Sequence, residues 1–236
     1  MADIVFYDIP CKSTHVSASW SPNTMKTRYA LNFKGARELG GQPTRMKPDG
    51  RPHYTLPMIH DKATGAVVTD SFKIACYLDQ TYPSQPRLVP SSNFALVRAV
   101  EDALQPLLAP VYPFGVPATE RILNPASAVY WRGTREAIFG MSLEELLPAP
   151  GSERESTQWA AVRASFDAID DWVIRGCDRY LGGAEVGYAD MHVAAFVRLV
   201  RDVLPADKWA DMHSWHGGRW ERLLVRLAEH ELVPLV

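Results

Sequence analysis

Two short motifs in the first third of the chain have the residue types needed to bind an extended, acidic ligand. The first is Leu56-Pro57, inside the apolar run Tyr54–Ile59. Proline has no N–H to give to a β-ladder, so it is tolerated where a strand begins, and the X-Pro bond there can be cis. A cis Leu56-Pro57 bond would turn the N–H and C=O of Leu56 outward, where they can pair with the backbone of a ligand.

The second motif, Asp70-Ser71, predicts the start of a helix over residues 71–81. Asp and Ser are both favoured N-cap residues. A helix start offers unpaired N–H groups and the positive end of the helix dipole to a carboxylate. A backbone-pairing edge beside an anion-binding helix start therefore indicates a site for a small acidic peptide.

The segments around these motifs are predicted to form a small sheet flanked by helices. Strands are expected at Asp3–Tyr7, Thr55–His60 and Ala66–Thr69, with a turn at residues 61–65 between the last two. Ser21 can cap a helix that has Pro22 at its first position and runs from Thr24 to Lys34, where Gly35 ends it. These elements place both motifs in one α/β unit.

Beyond a proline-rich connection at residues 82–91, apolar residues recur three or four positions apart, which is the period of helices. The chain is therefore predicted to divide into an α/β domain, residues 1–82, and an all-helical domain, residues 92–236. Gly187 and Asp190 have the spacing of a capping box before one of these helices, so we expect a structural role for Asp190.

Composition excludes several functions for this chain of 236 residues. A net charge of −2 gives no reason to expect nucleic acid, and no apolar run approaches the roughly 20 residues of a membrane span. The three cysteines, Cys11, Cys76 and Cys177, have no CxxC or metal-ligand spacing. We therefore expect a cytoplasmic protein that binds neither nucleic acid nor membrane and holds no metal.

The motifs together resemble the glutathione transferases, and most closely their fungal etherase-like (A-type) class, which is related to bacterial lignin β-etherases. Besides Leu56-Pro57 and Asp70-Ser71, the resemblance rests on the segments Phe6–Pro10 and Trp20–Asn32, so it covers most of residues 3–90. It implies an α/β thioredoxin-like first domain, an all-α second domain and a homodimer. It also implies glutathione as co-substrate and transfer to, or cleavage of, an aromatic ether, ester, peroxide or other electrophile.

The resemblance assigns the parts of glutathione to particular residues. Glutathione would bind along Leu56 and Pro57, with the backbone of Leu56 pairing with that of the ligand. Ser71 would give its hydroxyl and N–H to the γ-glutamyl carboxylate, and Asp70 would pair with the α-ammonium group. Lys47 and His53 can reach the glycyl carboxylate; the alternative is that both are solvated loop residues.

Two residues compete for the catalytic role. Ser21 at a helix start can stabilise the glutathione thiolate through its hydroxyl and through the helix dipole, with Asn23 as a second donor. The alternative is that Ser21 only caps the helix. Cys11 is the rival, because a cysteine near the first strand can form a mixed disulfide with glutathione, but it lies ten residues before Ser21.

Aromatic residues of the helical region are the candidates for the acceptor site. Tyr112, Phe114, Tyr130 and Trp131 can wall a pocket for aromatic substrates, although aromatic residues at such spacing often belong to the core. The two histidines of Met212–His216, with Asp211, are interpreted as a solvated turn rather than a metal site.

One departure from the family pattern lies between Gly35 and His53, where nineteen residues replace a helix, a strand and a second helix. A crossover unit needs about 30 residues, so we expect one strand to be missing, residues 41–52 to be irregular and the sheet to have three strands. The backbone edge of residues 3–7 would then lack a partner, and glutathione would bind weakly. Two alternatives to catalysis therefore stay open: a carrier of glutathione and an aromatic ligand, and an interaction domain with a degraded glutathione site.

Overall fold

The computed structural model describes residues 4–7, 20–34, 45–46, 52–53, 56–89 and 93–231. The strands in this part of the chain are β1 (Ile4–Tyr7), β2 (Arg45–Met46), β3 (Pro52–His53), β4 (Met58–Asp61) and β5 (Ala66–Thr69). The helices are α1 (Pro22–Lys34), α2 (Ser71–Thr81), α3 (Phe94–Leu108), α4 (Tyr112–Ile122), α5 (Pro125–Phe139), α6 (Leu143–Leu146), α7 (Glu153–Arg175), α8 (Tyr188–Val203), α9 (Ala206–Met212) and α10 (Arg219–Leu227).

The main sheet has three strands, the predicted number; their order is β1-β4-β5, and both pairs are antiparallel. Gly65 takes a positive φ of 72° in the turn between β4 and β5, a conformation that costs glycine little. The ladder of β4 begins at Met58 rather than at the predicted Thr55, because Pro57 cannot donate to it. In the described residues β1 pairs only with β4, so its other edge has no strand beside it.

The prediction that residues 41–52 form no strand is wrong. Arg45–Met46 pairs antiparallel with Pro52–His53, Arg45 opposite His53 and Met46 opposite Pro52. An antiparallel ladder alternates hydrogen-bonded and non-hydrogen-bonded pairs, and a proline is tolerated at the latter and at a sheet edge. Weak glutathione binding is expected only if residues 41–52 contain no strand, so this ladder removes the reason for that expectation.

The first two helices follow the sequence prediction closely. In α1, the C=O of Ser21 accepts the N–H of Met25 at 2.8 Å, which makes Ser21 the N-cap residue, and Pro22 occupies the first helical position. In α2, the predicted bounds 71–81 are those observed. Both helices therefore begin at the residues that the sequence marks for ligand binding.

Helix α8 lies at the centre of the helical region, since its residues from Tyr188 to Val200 are all buried. The connection after α2 is fixed rather than loose, because the carboxylate of Asp79 accepts the N–H groups of Leu88 and Val89 at 2.9 and 2.8 Å. The C=O of Leu88 in turn accepts the N–H of Tyr188 at 2.7 Å. These bonds tie the start of α8 to the end of α2.

No helix in the described ranges has both the length and the apolar composition that crossing a lipid bilayer requires. All described elements after α2 are helical, apart from an isolated bridge between Tyr180 and Gly183.

Candidate functional site

A cleft of about 270 Å³ lies where the start of α1, the Leu56-Pro57 turn, the start of α2 and one face of α3 meet. Its lining residues are Asn23, Lys26, Leu56, Pro57, Asp70, Ser71, Arg98, Glu101, Asp102 and Gln105. Half of them are residues that the sequence analysis selected. The structure thus brings the strand-edge motif and the helix-start motif to one cavity.

The α2 side of the cleft is organised by Asp70. Its Oδ1 accepts the N–H groups of Phe72 and Lys73 at 3.0 and 3.1 Å, so Asp70 rather than Ser71 is the N-cap residue. Asp70 also has a φ of 76°, which is unfavourable for a non-glycine residue and is frequent at functional sites. The neighbouring Leu56-Pro57 peptide bond is cis, the isomer that the sequence analysis considered.

The α1 side of the cleft is formed by Asn23 rather than by Ser21. Asn23 is exposed and lines the cavity, whereas Ser21 is 5% exposed and lies outside the set of lining residues. The C=O of Ser21 also accepts the hydroxyl of Thr24 at 3.2 Å. Ser21 is therefore the buried N-cap residue of the α1 turn that carries Asn23.

The α3 side supplies charged residues that the sequence analysis missed. Glu101, 5% exposed, binds the Nζ of Lys26 through Oε1 at 3.2 Å, and the Nδ1 of buried His192 lies 3.6 Å from the same oxygen. The other oxygen, Oε2, has no hydrogen-bond donor in the described residues; the nearest charge is the Arg98 guanidinium at 3.6 Å. Glu101 thus lines the cleft and has a buried oxygen that no described donor binds.

Burial governs the ionisation of this group. It lowers the pKa of Lys26, and the Glu101 carboxylate opposes that shift. Burial also lowers the pKa of His192 well below its usual value, and the positive charge of Lys26 adds to the effect. His192 is therefore neutral at physiological pH, which leaves Lys26 as the cation that balances Glu101 inside the protein.

A signal for the α3 residues was present in the sequence. Arg98, Glu101, Asp102 and Gln105 are spaced three, four and seven positions apart, so they form one polar face of a helix. The sequence analysis used only the apolar face of this helix. The polar face covers a ligand cleft because of tertiary packing, and the spacing of residues along the sequence does not show tertiary packing.

The predicted acceptor residues divide into two groups. Tyr112 and Trp131 both pack against a small cluster formed by Val116, Leu143 and Leu146. In contrast, Phe114 is buried against Trp159, with the ring centroids 5.4 Å apart, and Tyr130 is 69% exposed on the outer face of α5.

Trp131 also connects the helical region to the start of α1. Its ring meets that of Trp20 edge to face, 5.3 Å between centroids, and Trp20 directly precedes Ser21. The guanidinium of Arg135 lies 3.9 Å from the centre of the Trp131 ring. Among the four acceptor candidates, Trp131 is the one that contacts the start of α1, through the ring of Trp20.

The remaining predicted residues pair with other residues of the fold or lie outside the described ranges. Lys47 and Cys11 belong to the undescribed parts of the chain, and His53 is described only as a β3 residue opposite Arg45. His216 binds Asp167 at 2.7 Å, and the described residues contain no group of three or more metal-ligating side chains.

Comparison with known proteins identifies the family. A family profile for the C-terminal domain of glutathione S-transferases matches residues 95–230. The glutathione S-transferase-like protein ustS of Aspergillus flavus is 31% identical over 90% of this chain and 88% of its own length.

Solved structures agree with these matches. The glutathione S-transferase CsGST63524 of Ceriporiopsis subvermispora, crystallised with glutathione, is 38% identical, with a TM-score of 0.91 over 98% of this chain and 99% of its own. Glutathione transferase GSTFuA3 of Phanerochaete chrysosporium is 34% identical, with a TM-score of 0.87 over 99% of both chains. The predicted fold, a thioredoxin-like unit followed by an all-helical one, and the predicted kinship with fungal transferases are confirmed. The chain belongs to the glutathione transferase family.

Proposed function

We propose that this protein binds glutathione in the cleft between α1, α2 and α3 and transfers it to, or uses it to cleave, an aromatic electrophile such as an ether, ester or peroxide. The observation that carries the proposal is the meeting of Asn23, Leu56, Pro57, Asp70 and Ser71 in one cavity. A similar protein, CsGST63524, has been crystallised with glutathione, which supports the choice of ligand.

The γ-glutamyl carboxylate is assigned to the start of α2. Asp70 already accepts the N–H groups of Phe72 and Lys73, so the N–H and hydroxyl of Ser71 are the donors that this helix start offers to a ligand. The helix dipole favours an anion at the same place. The backbone of Leu56, in the neighbouring cis-proline turn, pairs with the cysteinyl unit.

The γ-glutamyl ammonium group is assigned to Glu101 together with Asp70. The predicted partner, Asp70, uses one carboxylate oxygen as a helix cap. Glu101 has a buried oxygen without a donor, on the wall of the same cavity. A buried acceptor gains most from a charged donor, because leaving it unpaired costs free energy.

Thiol activation is assigned to the start of α1, with Ser21 as the first candidate and Asn23 as the second. The dipole of α1 and a hydroxyl or amide donor both favour the thiolate over the thiol. The thiolate then attacks the electrophilic carbon or oxygen, and a bond to sulfur forms as the bond between that atom and the leaving oxygen breaks. The leaving oxygen takes up a proton from water. Trp131, beside Trp20, is the aromatic residue best placed to contact the acceptor.

A second candidate function is a non-catalytic carrier of glutathione and an aromatic ligand. The burial of Ser21, which is 5% exposed, favours it, since a buried hydroxyl is less accessible to the thiol. Turnover of an aromatic ether or peroxide separates the two functions. A cytosolic location, the division at residues 82–92 and a homodimer remain predictions from the sequence.

Calorimetric titration with glutathione tests the proposal. Ser71→Ala should weaken binding by roughly 1–3 kcal/mol, through loss of a charge-assisted hydrogen bond. Ser152→Ala is the matched control, because Ser152 caps α7 by accepting the N–H of Glu155 at 3.0 Å and lies outside the cleft lining. Equal affinities of wild type and Ser71→Ala would show that glutathione does not occupy this helix start.

A further inference from the structure

Arg135 on α5 is a half-buried cation that forms no ion pair with any carboxylate of the described residues. Its guanidinium group lies 3.9 Å from the centre of the Trp131 ring, and its Nη1 donates to the hydroxyl of Thr134 at 3.1 Å. Burial lowers the pKa of the Arg135 side chain. A cation that is withdrawn from water is unfavourable unless an anion compensates it, so Arg135 has surroundings that an anionic ligand would complete.

The arginine one turn earlier on the same helix has the opposite surroundings. Arg132 binds Glu120 at 2.6 Å, Glu136 at 3.0 Å and Glu144 at 2.9 Å. Its hydrogen bonds to Glu144 and Glu120 raise the pKa of its side chain. In the described part of the chain, α5 thus has one arginine with three carboxylate partners and one arginine with none.

The stacking of Arg135 on Trp131 leaves its N–H groups able to bind a ligand. A guanidinium group that lies over a ring keeps its N–H donors in its own plane, away from the ring. The indole is itself held, because its Nε1 donates to the C=O of Val116 at 3.0 Å. Tyr112 packs in the same apolar cluster as Trp131, and the charge of Arg135 opposes the rise in the pKa of Tyr112 that burial causes. Arg135, Trp131 and Tyr112, called here the Arg135 group, therefore combine a cationic donor with two partly exposed aromatic rings.

Ring contacts join the Arg135 group to the glutathione cleft on two sides. On one side, the ring of Trp131 meets that of Trp20 at 5.3 Å between centroids, and Trp20 directly precedes the cap of α1. On the other side, Tyr112 contacts Phe196 at 6.0 Å, and Phe196 contacts His192 at 5.9 Å. The Nδ1 of His192 lies 3.6 Å from a carboxylate that lines the cleft. A molecule bound at the Arg135 group is thus placed beside the glutathione cleft rather than on a remote surface.

We propose that the acceptor of this protein is an anionic aromatic electrophile, whose ring lies beside Trp131 and Tyr112 and whose carboxylate binds Arg135. This inference rests on the proposed function, because it names the substrate class of the same acceptor site. A guanidinium group matches a carboxylate with two parallel hydrogen bonds. A neutral aromatic acceptor would contact the two rings equally well and leave Arg135 without an anion.

Two ethers that differ in one group test the inference: 4-(phenacyloxy)benzoate, which is an anion, and 4-(phenacyloxy)benzamide, which is neutral. The glutathione thiolate attacks the CH₂ carbon, a carbon–sulfur bond forms, the bond from that carbon to the phenolic oxygen breaks, and this oxygen takes up a proton from water. The released 4-hydroxybenzoate or 4-hydroxybenzamide is followed by its ultraviolet absorbance. In Arg135→Gln, kcat/KM for the benzoate should fall about tenfold or more, through loss of charge-assisted hydrogen bonds, and kcat/KM for the benzamide should stay that of wild type.

Binding of the same two ethers is measured separately from turnover. Calorimetry in saturating S-methylglutathione, whose sulfur cannot form a thiolate, gives their affinities without reaction. Arg135→Gln should weaken binding of the benzoate about tenfold and leave binding of the benzamide unchanged. Arg163→Gln is the matched control and should change neither affinity, because Arg163 also lies over a tryptophan ring, that of Trp215 at 4.9 Å, but is already paired with Asp167 at 2.9 Å.

The outcomes separate this inference from the proposed transfer. Unchanged affinity of the benzoate in Arg135→Gln, an equal loss for both ethers, the same loss in Arg163→Gln, or no binding of the benzoate to wild type would overturn the inference. Loss of benzoate binding alone in Arg135→Gln, with turnover of neither ether by wild type, would support the anion site and refute the transfer. Turnover of both ethers that Arg135→Gln does not alter would support the transfer and refute the anion site.

Discussion

Glu101 is a residue whose surroundings are incomplete without a ligand. One of its oxygens binds Lys26, and the other is buried without a hydrogen-bond donor in the described part of the chain. Its helix, α3, lies outside the segment that carries the recognisable glutathione motifs. Local sequence could predict Asn23, Leu56, Pro57, Asp70 and Ser71, because each lies at a helix start or strand start that is readable from a few residues.

Glu101→Gln should weaken glutathione binding by roughly 1.5–3 kcal/mol, since it replaces a charged acceptor of the α-ammonium group by a neutral amide. A glutathione analogue without the amino group should bind wild type and Glu101→Gln equally well in calorimetry. Asp70→Asn serves as the comparison, because Asp70 was the partner expected from the sequence. If the analogue loses as much affinity as glutathione does, Glu101 acts on the fold of the cleft and not on the ammonium group.

Ser21→Ala should raise the pKa of the bound glutathione thiol and slow turnover at neutral pH, because the thiolate loses a hydrogen-bond donor. Cys11→Ala should leave both nearly unchanged. The thiolate is followed by its ultraviolet absorbance, with Asn23→Ala measured alongside because Asn23 lines the cleft. A Cys11–glutathione disulfide in the intact mass, with activity lost in Cys11→Ala, would transfer the role to Cys11.

Among the secondary-structure elements, α8 begins with a capping box whose carboxylate, that of Asp190, is buried. Asp190 is 3% exposed, and its carboxylate accepts the three N–H groups of Leu181, Gly182 and Gly187. Burial is the largest influence on this group and raises its pKa to about 6, with the three hydrogen bonds opposing the shift. Folding therefore makes Asp190 a weaker acid than it is in the unfolded chain.

The sign of the resulting pH dependence follows from proton binding. Between about pH 4 and pH 6 the folded protein holds a proton on Asp190 that the unfolded chain has released, so the contribution of this group to stability falls as pH rises. The change amounts to about 3 kcal/mol at most. In Asp190→Asn, which cannot ionise, this component should be absent.

Chemical unfolding of wild type and Asp190→Asn from pH 4 to pH 7 measures that difference, and the contributions of other carboxylates cancel. The stability advantage of wild type over Asp190→Asn should shrink as pH rises. An advantage that grows or stays constant would mean that the three hydrogen bonds outweigh burial and keep Asp190 ionised.

The elements also show where sequence prediction succeeds and where it fails. Helix α2 was predicted to the residue, because the cap at Asp70 and the apolar period that follows are both local signals. The ladder between Arg45–Met46 and Pro52–His53 was missed, because its two-residue strands have no periodicity and contain proline. Whether such short strands pair depends on their tertiary contacts, which the local sequence does not show.

For the whole molecule, the contact between the first helix and the helical region is polar as well as apolar. The hydroxyl of Tyr29 on α1 donates to Glu231 at 3.1 Å, and Arg201 on α8 binds the same carboxylate at 3.2 Å. Buried Arg198 on α8 donates to the sulfur of Met25 on α1. The helical region thus brings charged groups to this contact, where the thioredoxin-like unit supplies a hydroxyl and a sulfur, and neither half of the sequence predicts this alone.

Helix α5 offers an interface for the homodimer that the sequence analysis expects. None of its residues is buried, and Val129 and Tyr130 on its outer face are 77% and 69% exposed. The other exposed residues of this face are also uncharged: Ala126, Gly133 and Ala137. The charged Arg132, at the edge of this face, binds Glu120 and Glu144 on α4 and α6. An uncharged apolar helix face of this kind is typical of a protein–protein contact.

Sedimentation velocity tests whether this face joins two copies of the chain. Wild type should sediment as a dimer, and Val129→Glu/Tyr130→Glu as a monomer, because the substitution places like charges opposite each other across a two-fold axis. Ile174→Glu is the control, since Ile174 is 58% exposed on α7, away from this face. Glutathione affinity, measured by calorimetry on the same samples, checks that the substituted chain is still folded. A dimer that survives the double substitution would place the interface on another surface, and a monomeric wild type would refute the expected homodimer itself.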